Sequence, residues 1–162
     1  MGSRDSRARR GRGKNPELAG LGAGASSPRA PPDALGRVPR EIWDLLAALK
    51  APVKPYDLLW RLQNARGRKA PPSTIYRGLN VLVETGFAHR ISTTGAFVCC
   101  RLHAAPHEPA FLICDQCGEA LEVDASIAFR PLTPLLSGKQ FLVHNIGIVL
   151  RGLCAACRSP SE

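Results

Sequence analysis

The chain has 162 residues, enough for one ordinary domain or two small ones, and 44% of them are hydrophobic, as in a globular protein. No run approaches the roughly 20 apolar residues of a membrane helix, and no apolar segment of a secretory signal follows the basic N-terminus. We therefore expect a cytoplasmic protein, in which Cys-x-x-Cys pairs indicate metal binding more often than disulfides.

The positive charge is unevenly distributed along the chain. The net charge is +9, with nine Lys/Arg against three Asp/Glu in residues 1–40 and eight against two in residues 50–90. Residues 91–162 carry five Lys/Arg against six Asp/Glu. A basic segment beside a nearly neutral one suggests an anionic partner for one part of the chain only, most simply nucleic acid.

Residues 1–37 form a basic tail rich in Gly, Ala, Pro and Ser. Such a composition buries too little apolar surface to offset the entropy of ordering, so we predict disorder. A solubilising leader and an auxiliary DNA-binding arm both fit this segment.

Three amphipathic helices are predicted after Val38. Pro39 suits the first turn of the first helix, and Pro55 and Gly67 mark the start and the end of the second. The third follows a Pro-Pro pair, is capped by Ser73 and ends at Gly86. Their apolar faces carry Ile42, Leu45, Leu46 and Leu49, then Leu58, Leu59 and Leu62, then Ile75, Leu79, Leu82 and Val83.

Two short strand-like runs, "FAHRIS" and "GAFVCCRL", follow the helices around a "TTG" turn. Three helices and a hairpin describe a winged helix-turn-helix over residues 38–103. The polar face of its third helix suits the major groove, where Arg binds guanine and Asn binds adenine, although any amphipathic helix has a solvated face. The predicted DNA contacts are Ser73, Thr74, Tyr76, Arg77 and Asn80, together with Tyr56. Phosphate contacts are expected from Lys50, Lys54, Arg61, Arg66, Arg68 and Lys69.

Residues 104–158 form a second unit, and residues 159–162 are a tail. The second unit has a strand in "FLICDQCGEALEV", a short helix in "SIAFRPLTPLL" interrupted by prolines, and a strand in "FLVHNIGIVLRGLC". It is too small for a good core of its own, so it needs a metal, a partner subunit or both.

The six cysteines include two matching Cys-x-x-Cys pairs, which is the spacing of a tetrahedral Cys₄ zinc site. The pairs are Cys114 with Cys117 and Cys154 with Cys157. Four thiolates leave no open coordination position, so this site is expected to be structural. Two unrelated dithiols would require a coincidence of spacing at both ends of one small unit, and a thioredoxin-like motif would need a single pair at a helix start.

A second group of potential ligands lies around the junction of the two units. Metal binding there would bridge the units and favour one arrangement of them, as in a sensor. Each of these residues alone has an ordinary interpretation as a surface, capping or core residue. The candidates are His89, Cys99, Cys100, His103, His107, Glu108, Glu119, Glu122, Asp124 and His144.

Over about residues 39–158 the chain resembles the Fur family of metalloregulators, and most closely its zinc uptake regulator branch. The resemblance rests on "PPSTIYRGLNVLVETGFAHRI", "FLICDQCGEALEVD" and "GLCAACR", which are similar to the family's recognition helix and wing, its first Cys-x-x-Cys strand and its closing Cys-x-x-Cys. It implies an α+β protein: a winged helix-turn-helix followed by a small α/β dimerisation domain with a Cys₄ zinc site.

The resemblance also implies a homodimeric repressor that binds a palindromic DNA operator when loaded with zinc and controls zinc uptake genes. It implies two zinc ions per subunit, one structural and one regulatory. The regulatory ligands by position are His89, His107 and Glu122, with Cys100 favoured over Cys99 because it better matches the end of the strand. His144 is left out of the metal site.

Three other functions remain in competition. An iron- or peroxide-responsive regulator of the same family would use His/Asp-rich ligation, which a thiolate ligand disfavours. A zinc-ribbon adaptor would bind protein or RNA without sensing metal. An enzyme would need an open metal position or a poised thiolate with a base, and the sequence shows neither, so we expect no catalytic activity.

Overall fold

The computed structural model describes residues 28, 31, 33–102, 107–131, 134, 139–143 and 146–158. Most of the predicted N-terminal tail, His103, His144 and residues 159–162 lie outside the described residues. None of the described helices has the length and apolar character needed to cross a membrane.

The first unit packs three helices around one apolar core. They are α1 (Arg37–Ala47), α2 (Pro55–Arg66) and α3 (Pro72–Glu84). Gly67 ends α2 with a φ of +63°, a backbone conformation that glycine adopts without steric cost. The helices bury one face each, as their apolar spacing predicts, through Ile42, Trp43, Leu46, Leu58, Leu59, Leu62, Ile75, Leu79 and Leu82.

Details of this unit differ from the prediction. Helix α3 begins at Pro72, so Ser73 lies inside the first turn and the predicted cap is wrong. Proline is accepted at the first helical position because its missing N–H would have no intrahelical partner there. Val83, placed on the apolar face, is 37% exposed. Structure also precedes Val38, since a short 3₁₀ helix spans Asp33–Leu35 and Arg40 donates to Pro31 O over 2.8 Å.

The hairpin after α3 consists of β1 (Ala88–Ile91) and β2 (Ala96–Cys99), paired antiparallel as predicted. Its turn is closed by the N–H of Gly95, which donates to Ile91 O over 2.7 Å. Val53 and Phe97 exchange backbone hydrogen bonds of 2.9 and 2.8 Å. The hairpin is therefore fixed against the residues that lead into α2.

In the part of it that the structure describes, the second unit contains a three-stranded sheet and short helices. Strand β3 (Pro109–Cys114) lies in the centre, antiparallel to β4 (Ala120–Asp124) and parallel to β5 (Ile148–Gly152). Helix α4 spans Ser126–Phe129 and α5 spans Ala155–Arg158. Strand β5 is shorter than the run predicted from residue 141.

The inner face of this sheet contacts the hairpin of the first unit. Phe111 and Ile113 of β3 pack with Ile91 and Val98 of the hairpin in one buried cluster. Alternation along a strand sends neighbouring residues to the other face, where Ala110 packs with Ala125 and Phe129. The side chain of Glu122, opposite Phe111 in the ladder, is thereby directed towards the first unit.

Candidate metal centres and nucleic-acid interface

The two Cys-x-x-Cys pairs meet at one edge of the second unit. Parallel pairing of β3 with β5 puts Cys114 opposite Gly152, so the turn after each strand carries its cysteines to the same edge. The Sγ atoms of Cys114, Cys117, Cys154 and Cys157 lie within 4.8 Å of one another. We call these four residues the Cys₄ cluster.

The environment of the Cys₄ cluster suits a cation. Backbone N–H groups of Cys117 and Cys154 stabilise the thiolate of Cys114 and lower its pKa to about 6. Hydrogen bonding to Cys154 and the nearby thiols raises the pKa of Cys157 to about 12. Four adjacent thiols resist joint ionisation unless a metal ion neutralises them. The described cysteines all have free thiols, so none of them is committed to a disulfide.

A second cluster lies where the two units meet. His89 of β1 and Cys100, just after β2, come from the first unit, while His107 and Glu122 of β4 come from the second. Nε2 of His89 and Nε2 of His107 are each 2.8 Å from Glu122 Oε1. Cys100 Sγ lies 3.7 Å from the same oxygen and 3.9 Å from His107 Nε2. We call these four residues the hinge cluster.

The hinge cluster is buried and charged. Glu122 is 6% exposed and Cys100 4%. Burial raises the pKa of Glu122, but the imidazole of His89 close by and the hydrogen bond from the N–H of Arg101 outweigh it and lower the pKa to about 2. Burial lowers the pKa of His89, but Cys100 and Glu122 raise it to about 9. The buried carboxylate of Glu122 therefore favours a positive charge beside it.

The hinge cluster fits a tetrahedral metal ion. Ligand atoms about 2.0–2.3 Å from a tetrahedral zinc ion lie roughly 3.3–3.8 Å apart. The sulfur distances of 3.7 and 3.9 Å are close to this range, and the two histidine nitrogens lie nearer to Glu122 Oε1, at 2.8 Å. Within the described part of the chain, the buried His89 Nε2 has no partner with hydrogen-bond geometry, despite its approach to Glu122. A bound metal ion would satisfy this nitrogen.

The structure separates Cys100 from Cys99. Both are 4% exposed, but only Cys100 belongs to the hinge cluster, because alternation along β2 turns Cys99 into the helical core. Burial raises the pKa of Cys99 to about 12. The other described candidates, Glu108, Glu119 and Asp124, lie in neither cluster; Asp124 instead accepts from the N–H of Ser126.

The predicted DNA contacts lie on the exposed side of the first unit. Ser73, Tyr76, Arg77 and Asn80 are exposed on α3, and Thr74 is half-buried. Tyr56, Tyr76 and Asn80 line a groove between α2, α3 and the hairpin, together with Lys54, Arg90 and Thr94. Ser73, Thr74 and Arg77 lie outside that groove. Arg90 is not among the predicted contacts, because its place in the groove depends on how the hairpin packs against α3.

The predicted phosphate contacts are not all free for DNA. Arg66 Nε donates to Glu41 Oε2 over 2.6 Å, and its side chain is only 12% exposed, so it joins α2 to α1. Lys54 Nζ donates to Thr94 O in the hairpin turn. Arg61, Arg68 and Lys69 are exposed.

Comparison with known proteins adds to this geometry. No family model matches the chain. It is 37% identical over 120 residues to the zinc uptake regulation protein of Escherichia coli strain K12, which covers 72% of this chain and 68% of that protein. The chain belongs to the Fur family, in its zinc uptake regulator branch.

Two solved structures of this branch have the same fold. A zinc uptake regulator complexed with zinc and DNA matches with a TM-score of 0.69 and 34% identity, over 76% of this chain and 82% of that one. Holo XcZur matches with a TM-score of 0.65 and 32% identity, over 82% and 91%. The predicted family and the α+β fold class are therefore confirmed, while the assignment of individual ligands stays a prediction.

Proposed function

We propose that this protein is a zinc-responsive repressor that binds palindromic DNA operators as a zinc-loaded homodimer and controls zinc uptake genes. The observation that carries the proposal is the hinge cluster, which joins two ligands from the helical unit to two from the sheet unit. The named relatives are a zinc uptake regulation protein and a zinc uptake regulator complexed with zinc and DNA.

The ligand set of the hinge cluster favours zinc. Two imidazoles, one thiolate and one carboxylate are the donors that Zn²⁺ takes in tetrahedral sites, whereas oxygen-rich sites suit harder ions. A bound ion would supply electrostatic attraction that holds the hairpin and β4 together. The four side chains would thus favour one orientation of the helical unit over others, which is how a ligand shifts a conformational population. This chemistry disfavours the iron- and peroxide-responsive alternatives.

The second zinc ion per subunit is assigned to the Cys₄ cluster. Its four ligands all come from the sheet unit, so binding there stabilises that unit without changing the position of the helices. Both clusters provide four protein ligands, which leaves no coordination position for a substrate. We therefore infer a regulatory and structural role for the metals rather than an enzymatic one.

The homodimer is assigned to the outer face of the sheet. Leu112 of β3 lies opposite both Leu121 of β4 and Leu150 of β5 in the ladder, which makes a row of leucines across the sheet. Leu112 is 39% exposed, and Leu150 and Leu153, the latter just beyond β5, are more than half exposed. An exposed apolar row of this kind indicates a protein interface, and a second copy of the chain would give the two-fold symmetry that a palindromic operator requires.

The proposal is tested with the neighbouring cysteines of β2. Operator binding is measured against free Zn²⁺ on a palindromic A·T-rich duplex for the wild type, Cys100→Ser and Cys99→Ser. We expect zinc to strengthen binding of the wild type and of Cys99→Ser, and to have little effect on Cys100→Ser, because only Cys100 offers its thiolate to the hinge cluster.

Zinc retained in the Cys₄ cluster is checked by mass spectrometry in the same samples. Wild-type protein that keeps this zinc and binds DNA equally with and without added zinc would instead support the zinc-ribbon adaptor, which does not sense metal.

A further inference from the structure

Arg101 connects the hinge cluster to the end of α1. Its backbone N–H donates to Glu122 Oε2 over 2.7 Å, while the other oxygen of the same carboxylate faces the two histidines. Its guanidinium donates to Leu49 O over 3.3 Å, two residues beyond the end of α1. One residue therefore contacts both a candidate metal ligand and the connection between α1 and α2.

The same connection contacts β4 a second time. The N–H of Ala120 donates to Lys50 O over 2.8 Å, two residues before Glu122 on the same strand. Lys50 Nζ is also 3.9 Å from Glu119 Oε1, a pair too exposed to contribute much. Leu49, Lys50, Arg101, Ala120 and Glu122 line a small cleft between the units. The α1–α2 connection and the hinge cluster are thus tied to one strand by adjacent hydrogen bonds.

We propose that Arg101 is a positioning residue that couples occupancy of the hinge cluster to the placement of α1 and α2. This inference rests on the proposed function and names the residue through which it works. The backbone N–H holds Glu122 in the orientation that presents Oε1 to the histidines, as outer hydrogen bonds orient metal ligands in general. The guanidinium of the same residue holds the backbone at Leu49 through its hydrogen bond to Leu49 O.

The hydrogen bond from Arg101 N–H to Glu122 and the one from Ala120 N–H to Lys50 should form together for a geometric reason. Moving β4 away from the hairpin removes Glu122 from His89 and Cys100, and it also lengthens the contacts to Arg101 and Lys50. A metal ion that closes the cluster therefore favours the hydrogen bonds at the α1–α2 connection. Without the guanidinium the cluster can still close, but the closure no longer fixes the end of α1.

The test uses Arg101→Ala and Arg101→Lys in the full-length protein, because neither change removes the backbone N–H. DNA affinity is measured with and without saturating zinc, and the ratio of the two affinities is the coupling factor, which is typically about 5–150-fold in allosteric proteins. We expect the factor to fall at least about 5-fold in Arg101→Ala and to recover in part in Arg101→Lys, while zinc stoichiometry stays unchanged. Arg130→Ala, which removes an exposed arginine of the sheet unit, should keep the wild-type factor.

Amide hydrogen exchange gives a readout that does not depend on DNA. Zinc should slow exchange at Ala120 N–H in the wild type and slow it less in Arg101→Ala. An unchanged coupling factor with unchanged protection of Ala120 would overturn the role of Arg101. If wild-type DNA binding proves indifferent to zinc, the proposed function fails, but the difference in zinc-dependent protection of Ala120 between the wild type and Arg101→Ala still decides whether Arg101 couples the cluster to the connection. Loss of zinc stoichiometry in both Arg101 variants would contradict the inference, because it would indicate that the side chain supports the cluster itself.

Discussion

The Cys₄ cluster and the hinge cluster use four ligands each but are built differently. The Cys₄ cluster takes its cysteines from two turns of one sheet, brought together by the pairing of β3 with β5. The hinge cluster takes His89 and Cys100 from the helical unit and His107 and Glu122 from the sheet unit. Metal in the first would stabilise one unit only, whereas metal in the second would also hold the two units in one arrangement.

The burial of the clusters follows the same division. In the Cys₄ cluster one ligand is buried, one is exposed and two are half-buried, namely Cys114, Cys117, and Cys154 with Cys157. In the hinge cluster Cys100 and Glu122 are buried, His89 and His107 are half-buried, and none is exposed. The hinge ligands are enclosed because both units cover them. A motion that separates the units would expose the hinge ligands and leave the Cys₄ ligands as they are, which suits a site whose occupancy varies beside one whose occupancy is permanent.

The largest effect is expected from Cys114→Ser. A structural zinc contributes binding free energy directly to folding, so losing a thiolate ligand should cost at least about 3 kcal/mol, or roughly 10 °C in Tm. Zinc content and Tm are measured by mass spectrometry and circular dichroism. Cys99→Ser is the matched control, since Cys99 is as buried as Cys114 but lies in neither cluster. Equal Tm values for Cys114→Ser and the control would remove the structural role of the Cys₄ cluster.

A smaller loss of stability, with a large loss of metal, is expected from His89→Ala. Zinc affinity of the hinge cluster should fall by more than about 100-fold. Even the loss of a residue that only hydrogen-bonds to a metal ligand lowers metal affinity by about 10–100-fold. The dimer and one tightly held zinc per chain should remain, as measured by sedimentation and by competitive chelator titration.

Phe111→Leu provides the comparison for His89→Ala, since the Phe111 ring lies 5.9 Å from the His89 ring but offers no ligand. It should lower stability slightly and keep both zinc ions. Loss of both zinc ions in His89→Ala would mean that the clusters are not independent, contrary to their separate construction.

The smallest effect is expected from Arg77→Ala. An arginine that binds a base edge contributes about 1–3 kcal/mol, so operator affinity should fall by that amount while zinc affinity at both clusters stays the same. Binding is measured by fluorescence anisotropy on the operator and on a scrambled duplex. Arg151→Ala, which removes an exposed arginine paired with Asp115 in the sheet unit, should bind the operator like the wild type. A change in zinc affinity in Arg77→Ala would mean that DNA recognition and metal binding do not depend on separate residues.

The two clusters also differ in what the sequence could reveal. The Cys₄ cluster follows from spacing, because Cys-x-x-Cys places two ligands on one turn whatever the rest of the chain does. The hinge ligands carry no common spacing, and their grouping was implied by family resemblance. The choice between Cys99 and Cys100 needed the direction of β2, and the structure puts them on opposite sides of the strand.

Other features depended on packing that no local pattern encodes. The three helices and the hairpin were predictable from the spacing of apolar residues and from the Pro and Gly residues at their boundaries. The contact of Arg101 with Leu49 joins residues 52 positions apart, and no sequence signal distinguishes Arg101 from the other arginines. The sequence alone places Arg66 among the expected phosphate contacts, and only the structure shows that it pairs with Glu41.

The two faces of strand β4 (Ala120–Asp124) contribute to two different features of the molecule. Leu121 belongs to the outer leucine row, and the next residue, Glu122, belongs to the hinge cluster. Because successive side chains alternate, deleting one residue here would exchange the two, directing leucine at the histidines and a carboxylate at the proposed subunit interface. The length of this strand is therefore under stricter constraint than the identity of most of its residues, and a single-codon deletion should be more harmful here than many substitutions.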